Sequence, residues 1–261
     1  MPPIIESVSN EKVKKIVKLA SSSKTRRKEK EFFLEGLRLC RDAAESGASI
    51  KLFFYTASAL EKRKEDVEFV ASKAAFSSLV SDSVALKIAD TQSPQGLFCV
   101  CSFLSEPGED FVLKGGKFLA LENVQDPANL GAISRTVEAL GITALVVQSG
   151  CDIYNPKAQR AAMGSLLRLP VIETEDLSLL IESCRKRGFK AYATTPLSSA
   201  KRITEVDMTG SVIAVIGNEG NGVSEKLLSL CENITIPMLG RAESLNASVA
   251  AALTAWELMR S

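Results

Sequence analysis

The 261-residue chain contains no histidine, a single tryptophan and no Cys-x-x-C pair among its six cysteines. Without imidazole the usual general base near neutral pH is missing. Serine–histidine and cysteine–histidine hydrolases are therefore excluded. Carboxylates, lysine, tyrosine, cysteine and an unusually placed arginine remain for proton transfer. A zinc site would need cysteines and carboxylates alone, and the spacing of Cys40, Cys99, Cys101, Cys151, Cys184 and Cys231 suggests none, so no metal is expected. Reduced thiols in a cytosolic protein are the economical reading. No apolar run reaches the roughly 18 residues of a membrane span, and the N-terminal stretch has no apolar signal core. A cytoplasmic protein without a membrane partner is expected.

A hydrophobic content of 46% lets this length bury one large core or two smaller ones. The net charge of +1 hides an asymmetry. Residues 1–30 hold nine Lys/Arg against three acids, a net +6, which leaves −5 for the rest. A basic arm ahead of a globular body is a common nucleic-acid device, because each neutralised phosphate releases counterions. A solvated helix over Glu11–Ala20, with Val13, Ile16, Val17 and Leu19, is the alternative reading of the same segment.

Three later segments concentrate polar residues where strands give way to helices. Phe118–Val124 reads as a strand, and Asp126-Pro127 as a cap with proline in the first helical turn. Leu130, Ile133, Val137 and Leu140 then form a helical core stripe closed by Gly141. At about 100° per residue, Arg135 points almost opposite that stripe. Val212–Ile216 reads as a fully buried, parallel strand. It runs into Gly217-Asn218-Glu219-Gly220-Asn221-Gly222, where glycines allow positive φ or close approach to a ligand. The order G-x-x-G-x-G is neither the dinucleotide fingerprint nor the phosphate loop. Glu219 also argues against a phosphate cradle and suits a cationic or hydroxyl-bearing ligand. The last segment, Ile236-Pro237-Met238 to Ala252, places Ser244, Asn246 and Ser248 at a helix N-terminus, where one cap alone would explain one of them. Val249, Ala252, Leu253, Trp256 and Met259 recur at helical spacing and are expected to pack into the core.

Together these segments resemble the three motifs of the SpoU (TrmH) family of S-adenosylmethionine-dependent RNA ribose 2′-O-methyltransferases, within the SPOUT superfamily. Asn129–Thr136 is similar to the first motif, Ile216–Gly222 to the second, and Ile236–Met238 with Ser244–Ala250 to the third. The resemblance covers residues 117–261. It implies S-adenosylmethionine as cofactor, in a cleft formed by Gly217, Ile236, Met238, Leu245 and Asn246. It also implies a polar catalytic set of Asn129, Arg135, Glu219, Ser244 and Asn246. The motif-one arginine is thought in that family to help deprotonate the ribose hydroxyl, which carries over to Arg135. Because a guanidinium normally stays protonated, binding a phosphate and lowering the hydroxyl pKa is the other role open to it. The family's active site is built across a homodimer, so a homodimer is expected.

The fold class expected is α/β. Strands near Phe118–Val124, Ala144–Gln148, Lys190–Thr194, Val212–Ile216 and Ile234–Pro237 alternate with helices, which predicts a mostly parallel sheet covered on both faces. The resemblance adds a C-terminal trefoil knot, which periodicity alone would not suggest. Four regions follow: a basic arm over 1–30, a small α/β RNA-binding domain over 31–104, a linker over 105–116 and the methyltransferase domain over 117–261. In the second region Leu37–Ser46 reads as helix, Ile50–Thr56 and Gly96–Phe103 as strands, and Phe76–Ala89 as partly helical. It resembles the SpoU substrate-binding domain, akin to RNA-binding ribosomal proteins of the kink-turn class. The RNA partner favoured is ribosomal RNA. A transfer RNA substrate, a non-catalytic RNA-binding protein on the same scaffold and a non-RNA nucleotide enzyme are the alternatives.

Overall fold

The structure, a computed structural model, describes residues 4–105 and 107–260. The chain forms two compact units. One takes in the chain up to Ser105 together with Asp152–Leu167, and the other takes the rest.

The first unit opens with α1 (Glu11–Ser21) and α2 (Ser23–Glu29). Asn10 and Ser22 cap them by accepting from Lys12 and Thr25 amides. Val13, Ile16 and Leu19 lie at helical spacing, are fully buried, and join Phe33, Phe54, Phe98 and Val100 in one core. Arg26 is only 3% exposed. Its guanidinium pairs with Asp152 at 2.7 Å and donates to the Leu19 carbonyl at 2.6 Å. The expectation of a separate basic arm is thereby corrected for residues 11–29. Their apolar stripe is core, while Lys12, Lys14, Lys18, Lys24, Arg27 and Lys28 face water together with Glu11 and Glu29. Residues 1–3 of that arm lie outside the described residues.

Strands β1 (Glu31–Glu35), β2 (Ile50–Tyr55), β3 (Ser77–Leu79) and β4 (Leu97–Ser102) make a sheet of order β1-β4-β2-β3. Strand β4 runs antiparallel to β1 and β2, and β3 is parallel to β2. Helices α3 (Leu37–Glu45), α4 (Ala57–Lys62), α5 (Lys64–Lys73) and α6 (Asp82–Ile88) connect them. Helix α3, strand β2 and strand β4 fall where the sequence predicts them. Phe76–Ala89 divides into β3 and α6, whereas α4 and α5 were not anticipated.

The second unit begins at α7 (Glu109–Val112), whose Val112 is fully buried in that unit's core, so the expected linker over 105–116 is partly core. Then follow β5 (Lys117–Glu122), α8 (Pro127–Leu140) and β6 (Ala144–Gln148). Helix α9 (Pro156–Ala162) lies in the segment that groups with the first unit. The chain continues through β7 (Val171–Thr174), α10 (Leu177–Lys186), β8 (Lys190–Thr194), β9 (Lys201–Arg202), β10 (Val212–Ile216), α11 (Glu225–Leu230), β11 (Glu232–Thr235) and α12 (Ala247–Arg260). The seven strands are ordered β7-β6-β5-β10-β8-β11-β9, and every pairing is parallel. All five residues of β10 are buried, as a central strand covered on both faces requires. All five strands read from the sequence are present, while β7 and the two-residue β9 escaped notice.

Helix α8 follows the sequence reading closely. Asp126 caps it, Pro127 opens it, and Gly141 ends it at φ 79°. Leu130, Ile133 and Val137 are buried, Leu140 is half-buried, and Arg135 is exposed. Helix α12 does not follow it. Ala247, Ala251, Thr254, Ala255 and Leu258 face the core. Val249, Leu253, Trp256 and Met259 are 46%, 41%, 56% and 37% exposed. The expected core stripe thus faces outward. Alanines permit the close approach of α12 to α8, β5 and β10, and the bulky side chains are left on the opposite face.

Candidate active site

Three loops leave the carboxyl ends of β5, β10 and β11, the edge where open parallel sheets gather ligand groups. After β5 the backbone turns through Asn123 at φ 57° and enters α8 at Asp126, whose carboxylate accepts from the Ala128 amide at 2.9 Å. After β10 the glycine-rich loop folds on itself, with backbone hydrogen bonds between Asn218 and Gly222 in both directions. After β11, Ile236–Asn246 leads into α12. There Asn246 Oδ1 caps the helix by accepting from the Ser248 amide at 2.8 Å and the Ser248 hydroxyl at 2.6 Å.

One chain of side-chain hydrogen bonds ties the three loops together. Asn246 Nδ2 donates to Asn129 Oδ1 at 3.1 Å. Asn129 Nδ2 donates to Glu219 Oε1 at 3.0 Å. The Glu219 carboxylate also accepts from the backbone amides of Gln125 at 3.2 Å and Asp126 at 3.1 Å. Burial disfavours this charge, but the Asn129 amide and backbone N–H groups outweigh it and hold the carboxyl below its ordinary value. Beside it, Asn218 accepts from the amides of Gly220 and Asn221 and donates to the Asn123 carbonyl, fixing the loop's shape. Gly217 admits no side chain, because a Cβ there would lie 2.1 Å from the Gly222 carbonyl carbon. The absence of a side chain there is therefore required for closure of the loop.

A cleft of about 380 Å³ opens between these loops, within the usual range for a small-molecule site. Of the residues singled out in the sequence, Gly217, Glu219, Ile236, Met238, Ser244 and Leu245 line it. Asn129 and Asn246 are not on its wall; they hold the loops that form it. Arg135 is not on the wall either: it is exposed on α8 and makes no hydrogen bond or ion pair with any described residue. The sequence reading missed Thr194, Thr195, Pro196 and Leu197, which complete the cleft from the end of β8. The only signal for them was the Thr-Thr-Pro run at the end of a predicted strand. Ile236, Met238, Leu245 and Leu197 give the cleft apolar surface, and Glu219 gives it negative charge. That set suits an aromatic ring joined to a cationic group, which S-adenosylmethionine combines. Among the described residues no group of His, Cys, Asp or Glu could hold a metal ion, and no helix is long and apolar enough to cross a membrane.

The SpoU rRNA Methylase family profile matches residues 116–256, the span that carries all three loops. This chain belongs to that family. An MRM3-like substrate binding domain matches residues 10–99, a span that includes α1 and α2. The 23S rRNA (guanosine(2553)-2′-O)-methyltransferase RlmP of Bacillus subtilis is 32% identical over 97% of this chain and 98% of its own length. The 23S rRNA (guanosine-2′-O-)-methyltransferase RlmB of Xanthomonas campestris is 35% identical over 144 residues, covering 54% of this chain and 57% of that protein. The crystal structure of an AdoMet-bound rRNA methyltransferase from Sinorhizobium meliloti superimposes with a TM-score of 0.86 at 28% identity, covering 99% of this chain and 97% of that one.

Proposed function

We propose that this SpoU protein transfers a methyl group from S-adenosylmethionine to a ribose 2′-hydroxyl of structured RNA, specifically ribosomal RNA. The observation that carries this reading is the Glu219–Asn129–Asn246 hydrogen-bond chain, which joins the three motif loops around one cleft. The RNA assignment draws on the full-length similarity to a 23S rRNA methyltransferase.

S-adenosylmethionine, when bound, supplies the methyl group. Ile236, Met238 and Leu245 would flank its adenine, the backbone beside Gly217 would approach it closely, and Ser244 and Glu219 would complete the polar wall. Asn129 and Asn246 act as positioning residues, since their amides hold the loops rather than line the cleft. Arg135 supplies charge: its guanidinium binds a phosphate next to the target ribose and stabilises negative charge developing on the 2′-oxygen as the proton leaves. Alignment and charge stabilisation are the main services a protein can render to such a transfer.

The site is completed across a homodimer, with Arg135 of one protomer serving the cleft of the other. Two features support this. Arg135 has no partner among the described residues of its own chain, and α12 presents Val249, Leu253, Trp256 and Met259 to the outside although its inner face is already packed. A helix apolar on both faces needs a second covering surface. The trefoil knot belongs to the same reading. It is supported by α12 returning to β5 and β10 after the chain has passed through β11, on the far side of β8. The cytoplasm, where rRNA and reduced thiols coexist, is the compartment that fits.

Incubation of the purified protein with methyl-labelled S-adenosylmethionine and a large-subunit rRNA transcript tests the reading. Label should enter one ribose 2′-oxygen, located by mass spectrometry of nuclease fragments. RNA binding without label would make the protein a non-catalytic binder. Labelling of transfer RNA in preference to the rRNA would change the substrate.

A further inference from the structure

The first unit contains a larger cavity than the cleft, about 640 Å³, at the end of its sheet where β1 and β2 finish and β4 begins. We infer that this cavity holds an unstacked nucleotide of the substrate RNA. The inference rests on the RNA-methyltransferase reading and deepens it.

The lining is divided by chemistry. Ala59, Ala85 and Leu97 are nearly fully buried and make an apolar floor. Gln92 and Ser93 stand on the wall with exposed amide and hydroxyl groups. Lys62 and Arg63 occupy the rim, and neither has an ion pair with any described residue. Leu86 projects beside them as an apolar side chain with 65% of its surface left exposed by the described residues. Asp82 is the one acid on the lining and can accept from an exocyclic amine. An apolar floor, hydrogen-bonding amides and unpaired cations together match a base and its phosphate. Proteins recognise splayed-out RNA bases through such combinations, with an arginine plane able to replace an aromatic platform.

The cavity is also held open before any ligand arrives. Glu35, 7% exposed at the end of β1, accepts from the Asp90 amide at 2.8 Å and from the Thr91 hydroxyl, pinning the loop 90–96 at its start. Arg160 pairs with Asp90 at 2.7 Å. At the other end Gln95 Oε1 accepts from the Leu37 amide at 2.9 Å. Gly96, at φ 74°, passes so close to Thr56 that a Cβ would lie 2.3 Å from its hydroxyl. A loop fixed at both ends loses little conformational freedom on binding, which favours affinity.

The test is filter binding of the full-length protein to a large-subunit rRNA transcript, with S-adenosylmethionine affinity and thermal melting measured in parallel. Leu86→Asp and the double variant Lys62→Gln/Arg63→Gln alter exposed side chains, so their melting should match the parent. Each should weaken RNA binding by about tenfold, the scale of one stacked base. The double variant should also flatten the log–log salt dependence by about 1 for each phosphate it no longer neutralises. Cofactor affinity should be unchanged. Parent-like RNA affinity and salt slope in both variants would overturn the inference while the parent's methylation still upheld the enzymatic reading. A parent protein that neither bound nor methylated the transcript would remove both. Adenosine monophosphate binding lost in these variants, with RNA affinity intact, would make the cavity a small-molecule site and overturn the inference.

Discussion

Asn129 donates its side-chain amide to the Glu219 carboxylate at 3.0 Å across 90 residues of sequence. The same carboxamide accepts from Asn246 at 3.1 Å, so one side chain couples the loops after β5, β10 and β11. A hydrogen bond to a charged group contributes about 1.5–3 kcal/mol, and losing one partner leaves the other unmet. Asn129→Ala should therefore lower stability by about 1–3 kcal/mol. A double-mutant cycle with Glu219→Ala, which removes the acceptor, should give a coupling energy of about 0.5–3 kcal/mol in denaturant melts. Simple additivity of the two substitutions would mean that this hydrogen bond does not join the loops energetically.

Glu219 makes the site sensitive to acid in one direction only. Its carboxyl lies below its ordinary value in the folded protein: burial opposes the charge, and the Asn129 amide and backbone N–H donors outweigh it. The stabilisation is complete above the unfolded-state value and is lost as pH falls through the lower folded value. Glu219→Gln should differ most from the parent near neutral pH. The two unfolding midpoints should converge only once pH has fallen below the lowered folded value, where the parent side chain is itself uncharged. A gap that widened on acidification would contradict this sign.

The three glycines after β10 should respond differently to alanine. At Gly217 the added Cβ meets the Gly222 and Val223 backbone at 2.1–2.2 Å, so the loop must open. Overpacking of that kind costs about 1–3 kcal/mol, and S-adenosylmethionine affinity should fall with it. Gly222 has open space but φ 68°, so its penalty is the left-handed backbone, about 1–2 kcal/mol. Gly220 has neither obstacle, its nearest neighbour being Asn218 Oδ1 at 3.5 Å, and Gly220→Ala should behave like the parent. Calorimetric titration of the three variants separates these cases.

Much of this was legible in the chain because local signals and tertiary context agree. Asp126, Pro127 and Gly141 bound α8 where cap chemistry places them, and Arg135 faces outward as 100° per residue demands. The loop after β10 was marked by its glycines. What could not be read was any feature that depends on which elements become neighbours. Thr194–Leu197 reach the cleft only because β8 pairs with β10. Helix α12 carries apolar residues on both faces, and the spacing of the bulky ones pointed to the side that faces outward. Contact distance decided the packing in favour of the alanines. Val13, Ile16 and Leu19 were visible as a stripe, but their charged neighbours drew the segment toward an arm that the packing does not support.

The outward face of α12 yields a prediction about assembly. Trp256 and Leu253 are exposed in the single chain and should be buried between two copies. Trp256→Asp or Leu253→Asp should shift the protein from dimer to monomer in analytical ultracentrifugation. Chain stability should change little at low concentration, because neither side chain belongs to its own protomer's core. A parent protein that sediments as a monomer at micromolar concentration would exclude the shared site.

Arg135 provides the sharpest test of the chemistry. It is exposed on α8, free of hydrogen bonds and ion pairs among the described residues, and so is not held for a structural purpose. Removing it should leave folding intact and reduce the methylation rate by about 10²–10⁴-fold, the scale of a positioned acid–base or charge-stabilising group. S-adenosylmethionine affinity should change far less, because the group acts mainly in the transition state. Arg135→Lys should recover little, since an ammonium lacks the planar fork that grips a phosphate. In a mixture of Arg135→Ala chains with chains defective in cofactor binding, heterodimers should regain up to one competent site. Recovery would require the arginine of one chain to serve the cleft of the other. Absence of recovery, with heterodimers demonstrated by mass spectrometry, would return Arg135 to its own protomer.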